Sequence, residues 1–348
     1  MPSTPTPLPR AAVAPSTPPQ GTVDEGRRRH FARFYGLDTT HAGPTDAQGT
    51  PDTAGTVPVS AADRASHDTP DARPIGLVFG NCQAESLRLA LPVSTAWVRM
   101  PPVHELTAAD VPHLEALLAV AGVLISQPVH DDYHGLPLGT RQLFERVPSD
   151  CRTAVMPVIR SAGLYPTHAI VRPPSDPSLT PPVAPYHDLR TLAEAAGDPL
   201  PPLTVAAVLA IAELSQRELR SRESRHEAVV ISDLFDRPRF ELMRTINHPG
   251  NPVWTELATR VADHLGLEGP PAELDRPLLN GIHAPRNPVV IEAWGLETPS
   301  TGHWTIDGVQ VTEEELRAIH LDWYREHPDV VTAGVARHRT ALDLLAAS

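Results

Sequence analysis

The chain has 348 residues, which is long enough for two domains or for one large domain with tails. Its formal net charge of −13 argues against nucleic acids and anionic membranes as general partners, although an anion can still bind at a local cluster of arginines and backbone amides. The chain has only two cysteines and no apolar run of the ~18 residues that a membrane span needs, so we expect a cytoplasmic protein with reduced thiols and no membrane insertion.

Proline and small polar residues dominate the N-terminal region. Residues 1–22 have too little apolar surface to offset the entropy of ordering, which predicts a disordered tail. Residues 23–37 place arginines beside aromatic residues and predict a basic amphipathic helix, which either docks on the main body or supplies arginines to a ligand's phosphates. Residues 38–72 show no periodicity and predict a linker.

Residues 73–160 alternate short apolar runs with helical patterns, which predicts an α/β subdomain with a small, mainly parallel sheet. The expected strands are 75–79, 94–100, 122–126 and 153–159. Helices are expected around 84–91, 114–120 and 136–147. Pro157 suggests that the last strand lies at an edge or ends there.

Residues 161–348 differ in character and predict a loop-rich helical subdomain that completes the cleft. Residues 161–188 are rich in proline, which favours a long loop forming a wall of a binding site. The helices expected beyond this loop are 205–219, 240–246, 254–265, 313–325 and 330–345. Thr312, with Glu315 three residues on, predicts a capping box at the start of the helix at 313–325. The fold expected overall is an α/β N-terminal unit embedded in a larger, principally helical, loop-rich fold.

The most informative stretch is the turn after the first strand, where Gly80 is followed by Asn81, Cys82 and Gln83. Open α/β sheets bind ligands at the carboxyl ends of their strands, and a helix N-terminus lowers the pKa of a thiol. Cys82 is therefore predicted to be a reactive thiol facing a cleft, with burial as a small apolar residue as the alternative. The side chains of Asn81 and Gln83 are candidate oxyanion donors, although Asn81 can also satisfy the backbone of the turn.

Further candidates are single residues at predicted loops and element ends. His248, which follows Asn247 and precedes a proline, is a candidate general base. Gln127 and Tyr133 follow the third strand and either contact a ligand or belong to a solvated acidic loop. Arg141 is either a phosphate contact or a surface residue.

Tyr165, at the start of the proline-rich segment, is either a stacking wall of the site or a packed aromatic residue. His130 and His134 stand four residues apart, which is a weak metal-binding signal. The neighbouring proline and the lack of a helical pattern argue against that use. We therefore predict no metal site.

Several of these pieces, taken together and in order, resemble a known family. Gly80-Asn81-Cys82-Gln83, followed by Glu85-Ser86-Leu87-Arg88, is similar to the signature of the WcbI-type polysaccharide-biosynthesis proteins. The other matching pieces are 125–133, 138–141, 163–166 and 245–249. The resemblance spans about residues 73–295.

The resemblance implies an acetyltransferase that uses acetyl-coenzyme A as acyl donor and acts on a hydroxyl of a sugar or a polysaccharide precursor. The proline- and alanine-rich tails suggest a bacterial source, in which a natural product is an equal candidate for the acceptor. The resemblance implies Cys82 and His248 as the catalytic residues. It also implies possible partner enzymes from the same biosynthetic route. The residues expected to contact coenzyme A are Gly80, Asn81, Gln83, Gln127, Tyr133, Arg141, Tyr165 and Asn247.

Two other functions stay open at this point. The turn at Cys82 also resembles the Gly-Asp-Ser turn of the SGNH esterases, with cysteine in place of serine and His248 as the late histidine. Those esterases carry an aspartate three residues before the histidine, whereas position 245 here is threonine. The third possibility is a non-catalytic module that binds coenzyme A or an acyl carrier.

Overall fold

The computed structural model describes residues 20–37, 73–173 and 175–347. The chain divides into two compact units, residues 1–66 and 67–348. Both predicted subdomains, 73–160 and 161–348, fall in the second unit. The predicted linker, 38–72, and the predicted tail apart from its last three residues lie outside the described residues.

The first unit contains one described helix, α1 (Gln20–His30). It begins inside the predicted tail and ends seven residues before the predicted end at residue 37. Its last turn carries Arg27, Arg28, Arg29 and His30, and positive charge at a helix C-terminus interacts favourably with the helix dipole. Turns follow up to Gly36, whose φ of +67° is a conformation that glycine adopts without strain.

The second unit is built around a four-stranded parallel sheet, as the alternating pattern predicts. Its strands are β1 (Ile75–Phe79), β2 (Ala96–Val98), β3 (Ala121–Ser126) and β4 (Arg152–Val155). The strand order is β2-β1-β3-β4, and every pairing is parallel. β4 lies at an edge and ends before Pro157, in agreement with the prediction from that proline.

Three helices connect these strands: α2 (Cys82–Ala90), α3 (Val111–Leu118) and α4 (Thr140–Phe144). α2 follows β1 directly and buries Leu87 completely. Because α2 starts at the carboxyl end of a central strand, its first residue, Cys82, lies at the edge of the sheet where open α/β folds bind ligands.

Beyond residue 160 the chain is mainly helical. The helices are α5 (Leu189–Ala195), α6 (Val205–Arg225), α7 (Asn251–Leu265), α8 (Pro288–Trp294), α9 (Glu313–Glu326), α10 (Pro328–Arg337) and α11 (Arg339–Ala346). The capping box predicted for α9 is present, with Thr312 and Glu315 bonded reciprocally. The single C-terminal helix predicted at 330–345 is instead two helices that meet at His338.

Short antiparallel pairs join these helices. They are β5 (His168–Ala169) with β6 (His187–Asp188), β7 (Met243–Thr245) with β8 (His248–Pro249), and β9 (Ile282–His283) with β10 (His303–Ile306) and β11 (Val309–Thr312). The helix predicted at 240–246 is wrong, because this segment pairs as β7 with β8. Gly250 makes the close return possible, since a Cβ there would lie 2.0 Å from the Glu241 carbonyl oxygen.

One hydrophobic core joins the sheet to the helical part. Val78 of β1, Leu87 of α2 and Trp254 of α7 belong to the same buried cluster. The sheet edge and the strand pair β7–β8 are therefore held in one packed body, which fixes their relative position. Among the described residues, no helix has both the length and the apolar character needed to cross a bilayer.

Candidate functional site

The turn between β1 and α2 is held by its own side chains. Asn81 is the N-cap of α2, and its Oδ1 accepts the Gln83 N–H at 2.9 Å. Its Nδ2 has no partner among the described residues. Gly80 has to be a glycine, since a Cβ there would lie 2.4 Å from Oε1 of Gln127. The turn-stabilising role expected for Asn81 is thus present, and its amide nitrogen stays available to a ligand.

Gln83 is 1% exposed, and its amide uses all of its hydrogen-bonding capacity within the protein. Its Nε2 donates to the carbonyl oxygens of Ile159 at 2.8 Å and Asn247 at 2.9 Å. Its Oε1 accepts from the Ile159 N–H at 3.0 Å and from Gln127 Nε2 at 3.2 Å. No side-chain N–H of Gln83 remains for an oxyanion, so that expected role is corrected: the side chain links α2 to β8.

Gln127 plays a similar supporting part. It is 2% exposed, and its Oε1 accepts the Asn81 backbone N–H at 2.9 Å. Its Nε2 donates to Gln83, and its own backbone N–H donates to the carbonyl oxygen of Phe79. The side chain of Gln127 therefore stabilises the turn through buried hydrogen bonds and is not available to a ligand.

His248 is brought to this turn by β8, because the carbonyl oxygen of the preceding Asn247 accepts from Gln83. Tyr186, from the proline-rich segment, bridges the two residues. Its hydroxyl lies 2.7 Å from Asn247 Oδ1 and 3.3 Å from His248 Nε2. Thr245 Oγ1 donates to the same hydroxyl at 2.9 Å.

The hydroxyl protons of this network have two consistent arrangements. If the Tyr186 proton goes to Asn247 Oδ1, then His248 Nε2 carries a proton and donates it to the phenol oxygen. If Thr245 supplies Asn247 Oδ1, which lies 3.2 Å away, the Tyr186 proton can go to Nε2 instead. Nδ1 of His248 is buried and has no partner among the described residues. The Tyr186 hydroxyl is thus the route by which a proton can enter or leave the imidazole.

The electrostatic surroundings keep both partners neutral. Burial, and after it the charges of Arg244 and His283, lower the pKa of His248 to about 4. Burial raises the pKa of Tyr186 to about 12. At neutral pH the imidazole is therefore neutral, with one ring nitrogen free to accept a proton, and the phenol is protonated and can donate one.

Cys82 is exposed, which excludes the alternative of a sealed interior thiol. Although the side chain reaches solvent, protein surrounds the sulfur enough that desolvation raises the pKa of the Cys82 thiol. The backbone N–H groups of Cys82 and Gln83 act in the opposite direction but more weakly. The predicted lowering of this pKa is wrong, because desolvation exceeds the effect of the helix N-terminus.

Three arginines missed at the sequence level form a cationic cluster beside these residues. Arg160 directly follows Ile159. The pKa of Arg160 is lowered by burial and then by the charges of nearby arginines, with the carboxylate of Glu218 acting in the opposite direction; the arginines are Arg337, Arg222 and Arg172. Arg160, Arg172 and Arg337 have no ion pair or hydrogen bond to the described residues, and one buried nitrogen of Arg172 lacks a partner. We call these three residues the arginine cluster.

Two members of the arginine cluster act on the phenol of Tyr186. The charges of Arg160 and Arg172 lower the pKa of Tyr186, against the larger effect of burial. One signal for Arg160 was present in the sequence, namely a basic residue just beyond the last predicted strand. Tyr186 and Arg172 lie in the segment predicted as a wall of the site, but nothing in the local pattern singles them out.

Two predicted contacts lie beyond β3, Tyr133 in the following loop and Arg141 in α4. Arg141 is exposed and already paired, with its Nε 3.0 Å from Asp131 and a second carboxylate, Glu145, on Nη1. Tyr133 is half-buried beside the rings of His130 and His134. None of the hydrogen bonds in the described residues joins Arg141 or Tyr133 to Cys82 or His248.

Tyr165 is 4% exposed and donates to the Met243 carbonyl oxygen at 2.8 Å. Its ring stacks on His168 and borders a separate cavity that also contains Arg244. Tyr165 is thus a packed aromatic residue, one of the two expected alternatives, and it borders a cavity that neither Cys82 nor Tyr186 lines. Among the described residues no group of three or more His, Cys, Asp or Glu side chains is placed to hold a metal ion.

Comparison with protein families gives one match. The family model described as polysaccharide biosynthesis enzyme WcbI matches residues 75–270, which is more than half of the chain. This segment includes Cys82, Tyr186 and His248. No curated protein sequence matches the chain.

Comparison with solved structures finds a similar fold. A structure of WcbI, described as a novel polysaccharide biosynthesis enzyme, matches with a TM-score of 0.66 and 18% sequence identity. The match covers 78% of this chain and 99% of that one. The WcbI structure is described as the native protein without a disulfide bond between coenzyme A and one of its cysteines. At this identity the likeness demonstrates a shared fold.

Proposed function

Because the chain belongs to the WcbI family of polysaccharide biosynthesis enzymes, we propose that it transfers an acetyl group from acetyl-coenzyme A to a hydroxyl group of a sugar, a polysaccharide precursor or a natural product. The solved WcbI structure, whose description names coenzyme A, supports this choice of donor. The proposal treats acetyl-coenzyme A as a substrate that supplies an activated acyl group as a thioester.

The observation that carries the proposal is the unpaired arginine cluster beside Tyr186. Coenzyme A is a polyanion, and arginines whose guanidinium groups make no hydrogen bond or ion pair within the protein are suited to bind phosphates. Arg172 is half-buried and Arg160 is exposed, so both can meet a ligand that arrives from solvent. The chain has more carboxylates than basic side chains, yet neither Arg160 nor Arg172 forms an ion pair with the described residues. This is consistent with a ligand that supplies the negative charge.

The residues around Cys82 suit the transfer step. The acceptor oxygen bonds to the acetyl carbon, the carbon–sulfur bond breaks, and the departing sulfur takes up the proton that the acceptor hydroxyl has lost, so that atoms and charge balance. Tyr186 and His248 receive the acceptor's proton through the shared hydroxyl. The Cys82 backbone N–H and Asn81 Nδ2 are the donors available to the developing oxyanion, since both lack protein partners among the described residues.

The raised pKa of the Cys82 thiol favours direct transfer over an acetylated cysteine. A protonated thiol is a poor nucleophile, and the neutral His248 is engaged by Tyr186 instead of by the sulfur. Cys82 in this reading lines the thioester end of the site.

The proposal is tested by calorimetric titration of coenzyme A into the wild-type protein and an Arg160→Gln, Arg172→Gln double variant. Charge-assisted hydrogen bonds contribute about 1.5–3 kcal/mol each, so we expect the dissociation constant to rise at least ~10-fold. Arg141→Gln is the matched control, because this arginine is already paired with Asp131 and Glu145. No heat with the wild-type protein, or equal weakening by Arg141→Gln, would contradict the proposal.

A hydrolase of the SGNH type has less support from the geometry. In those esterases a carboxylate orients the histidine, but Nδ1 of His248 has no partner among the described residues. Thr245, which stands in the aspartate's place, contacts Tyr186. Incubation with acetyl-coenzyme A alone separates the two readings, because a hydrolase releases acetate without an acceptor.

A further inference from the structure

A cavity of about 420 Å³ lies against β7, the strand that pairs with the one carrying His248. β7, β9 and β10 contribute to its wall, and the aromatic rings of Tyr165 and Phe240 form an apolar face. Its basic lining residues are Arg244, His283, Arg286 and His303. None of the three residues of the arginine cluster lines it.

Both arginines in this cavity are held in place by uncharged groups. Nη1 of Arg244 donates to the carbonyl oxygens of Leu278 at 2.7 Å and Pro249 at 3.1 Å. Nη1 of Arg286 donates to Thr298 Oγ1 at 3.0 Å, and its guanidinium lies 5.3 Å from the centre of the Phe240 ring. Each guanidinium is thus oriented while its other nitrogens stay available for a planar anion.

The cavity has an excess of positive charge. Neither Arg244 nor Arg286 forms an ion pair with any described residue, and the one carboxylate in the lining, Glu241, is exposed. Burial lowers the pKa of Arg244, and burial together with Arg244 lowers the pKa of His283. A desolvated arginine without an ion pair, as Arg244 is, is costly unless a ligand supplies the compensating negative charge.

This cavity lies next to the proposed catalytic histidine. β7 contributes Met243 and Arg244 to the cavity wall and pairs with β8, which carries His248. After burial, the groups that lower the pKa of His248 are Arg244 and His283, and both of them line the cavity. An anion bound at Arg244 would therefore lie one strand away from the strand that carries the imidazole. It would use different arginines from those proposed for coenzyme A.

We propose that this cavity binds the negatively charged group of the acceptor, so that the acceptor is an anionic hydroxyl compound. A phosphate and a carboxylate share the required chemistry, and they correspond to a sugar phosphate and a uronic acid, respectively. This inference rests on the proposed acetyl transfer and adds the class of acceptor, since a neutral sugar would leave both arginines without a partner.

The test is calorimetric titration of the full-length protein with glucose 1-phosphate, glucuronate and glucose, in the absence of coenzyme A. We expect at least one of the two anionic sugars to bind at least 10-fold more tightly than glucose, and the tighter of the two identifies the group recognised. Arg286→Gln should remove this preference, and Arg286→Lys should retain part of it. Arg217→Gln is the control, because Arg217 is an exposed residue of α6 paired with Glu213.

Thermal unfolding of each variant verifies that it is folded before binding is compared. Equal binding of glucose and both anionic sugars by the wild-type protein would overturn the inference. It would also be overturned if Arg286→Gln bound coenzyme A more weakly but bound glucose 1-phosphate as tightly as the wild type. If the wild-type protein did not bind coenzyme A, the proposed acetyl transfer would be contradicted. The preference of this cavity for anionic sugars could still be measured, because that titration contains no coenzyme A.

Discussion

The side-chain amide of Gln83 donates to the backbone carbonyl oxygen of Asn247 at 2.9 Å and so connects two segments that lie 164 residues apart in the chain. Through this bond the turn that presents Cys82 and the strand that presents His248 share one buried hydrogen-bond network. The geometry of the candidate site therefore depends on a residue that is not itself accessible to a ligand.

Replacing Gln83 should destabilise the protein strongly. Gln83→Ala leaves buried groups of Ile159, Asn247 and Gln127 without partners, and we expect the free energy of unfolding to fall by about 3 kcal/mol or more. Urea denaturation measures this loss. Gln310→Ala, at an exposed position of β11, is the control and should change stability by at most ~0.5 kcal/mol. Similar losses in the two variants would show that the Gln83 network does not stabilise the fold.

The thiol of Cys82 should react slowly with electrophiles at neutral pH. Because desolvation raises its pKa, the thiolate fraction is small at pH 7 and grows as the pH rises past the ordinary value for cysteine. Alkylation by iodoacetamide, followed by mass spectrometry in a Cys151→Ser background, should show a rate that still increases between pH 7 and pH 9. A rate that no longer increases above pH 7 would indicate a lowered pKa of the Cys82 thiol. It would contradict direct transfer and favour an acetylated Cys82 as the intermediate.

Tyr186→Phe should impair acetyl transfer without impairing coenzyme A binding. The variant removes the hydroxyl that joins His248 to the site, and loss of general base catalysis reduces a rate by about 100-fold or more. Tyr324→Phe is the matched control, since it also removes a buried tyrosine–histidine hydrogen bond, the 2.6 Å contact with His187. If both variants lose activity equally, the effect is structural and Tyr186 has no part in proton transfer.

Stability should decrease as the medium becomes acidic. Burial lowers the pKa of His187 to about 3, so between that pH and about 6.5, its value in an unfolded chain, the unfolded state binds a proton that the folded state does not. Stability is then complete above pH 6.5 and is lost as the pH falls toward 3. Urea denaturation at pH 7 and pH 5 should show a smaller difference for His187→Asn than for the wild type. The exposed His226→Asn should leave the difference unchanged, and an unchanged difference in His187→Asn would refute this assignment.

The sequence predicted correctly those structural features that depend on a few adjacent residues, namely single strands, turns and helix caps. The apolar run at Ile75–Phe79, the glycine and polar triplet after it, and the capping residues of α9 all identify their structures from a few adjacent residues. The parallel sheet follows from the same alternation, because strands joined by helices run in one direction. The turn at Cys82 was found for this reason.

Contacts between segments that are distant in sequence could not be predicted from local sequence patterns. Residues 240–246 have an apolar pattern that suits a helix, but pairing with His248–Pro249 overrides it. Gln83 looks like a surface donor until Ile159 and Asn247 are placed beside it. Arg160, Arg172 and Arg337 come from three separate stretches of chain, and only the folded structure shows that they act on one another.

The most direct test of the central claim is a crystal structure of the protein with coenzyme A. The claim predicts phosphate oxygens within hydrogen-bonding distance of Arg160 or Arg172 and the thiol end of the ligand beside Cys82 and Tyr186. Phosphates bound at Arg141, or in the cavity of Arg244 and Arg286, with the sulfur far from Cys82, would contradict it.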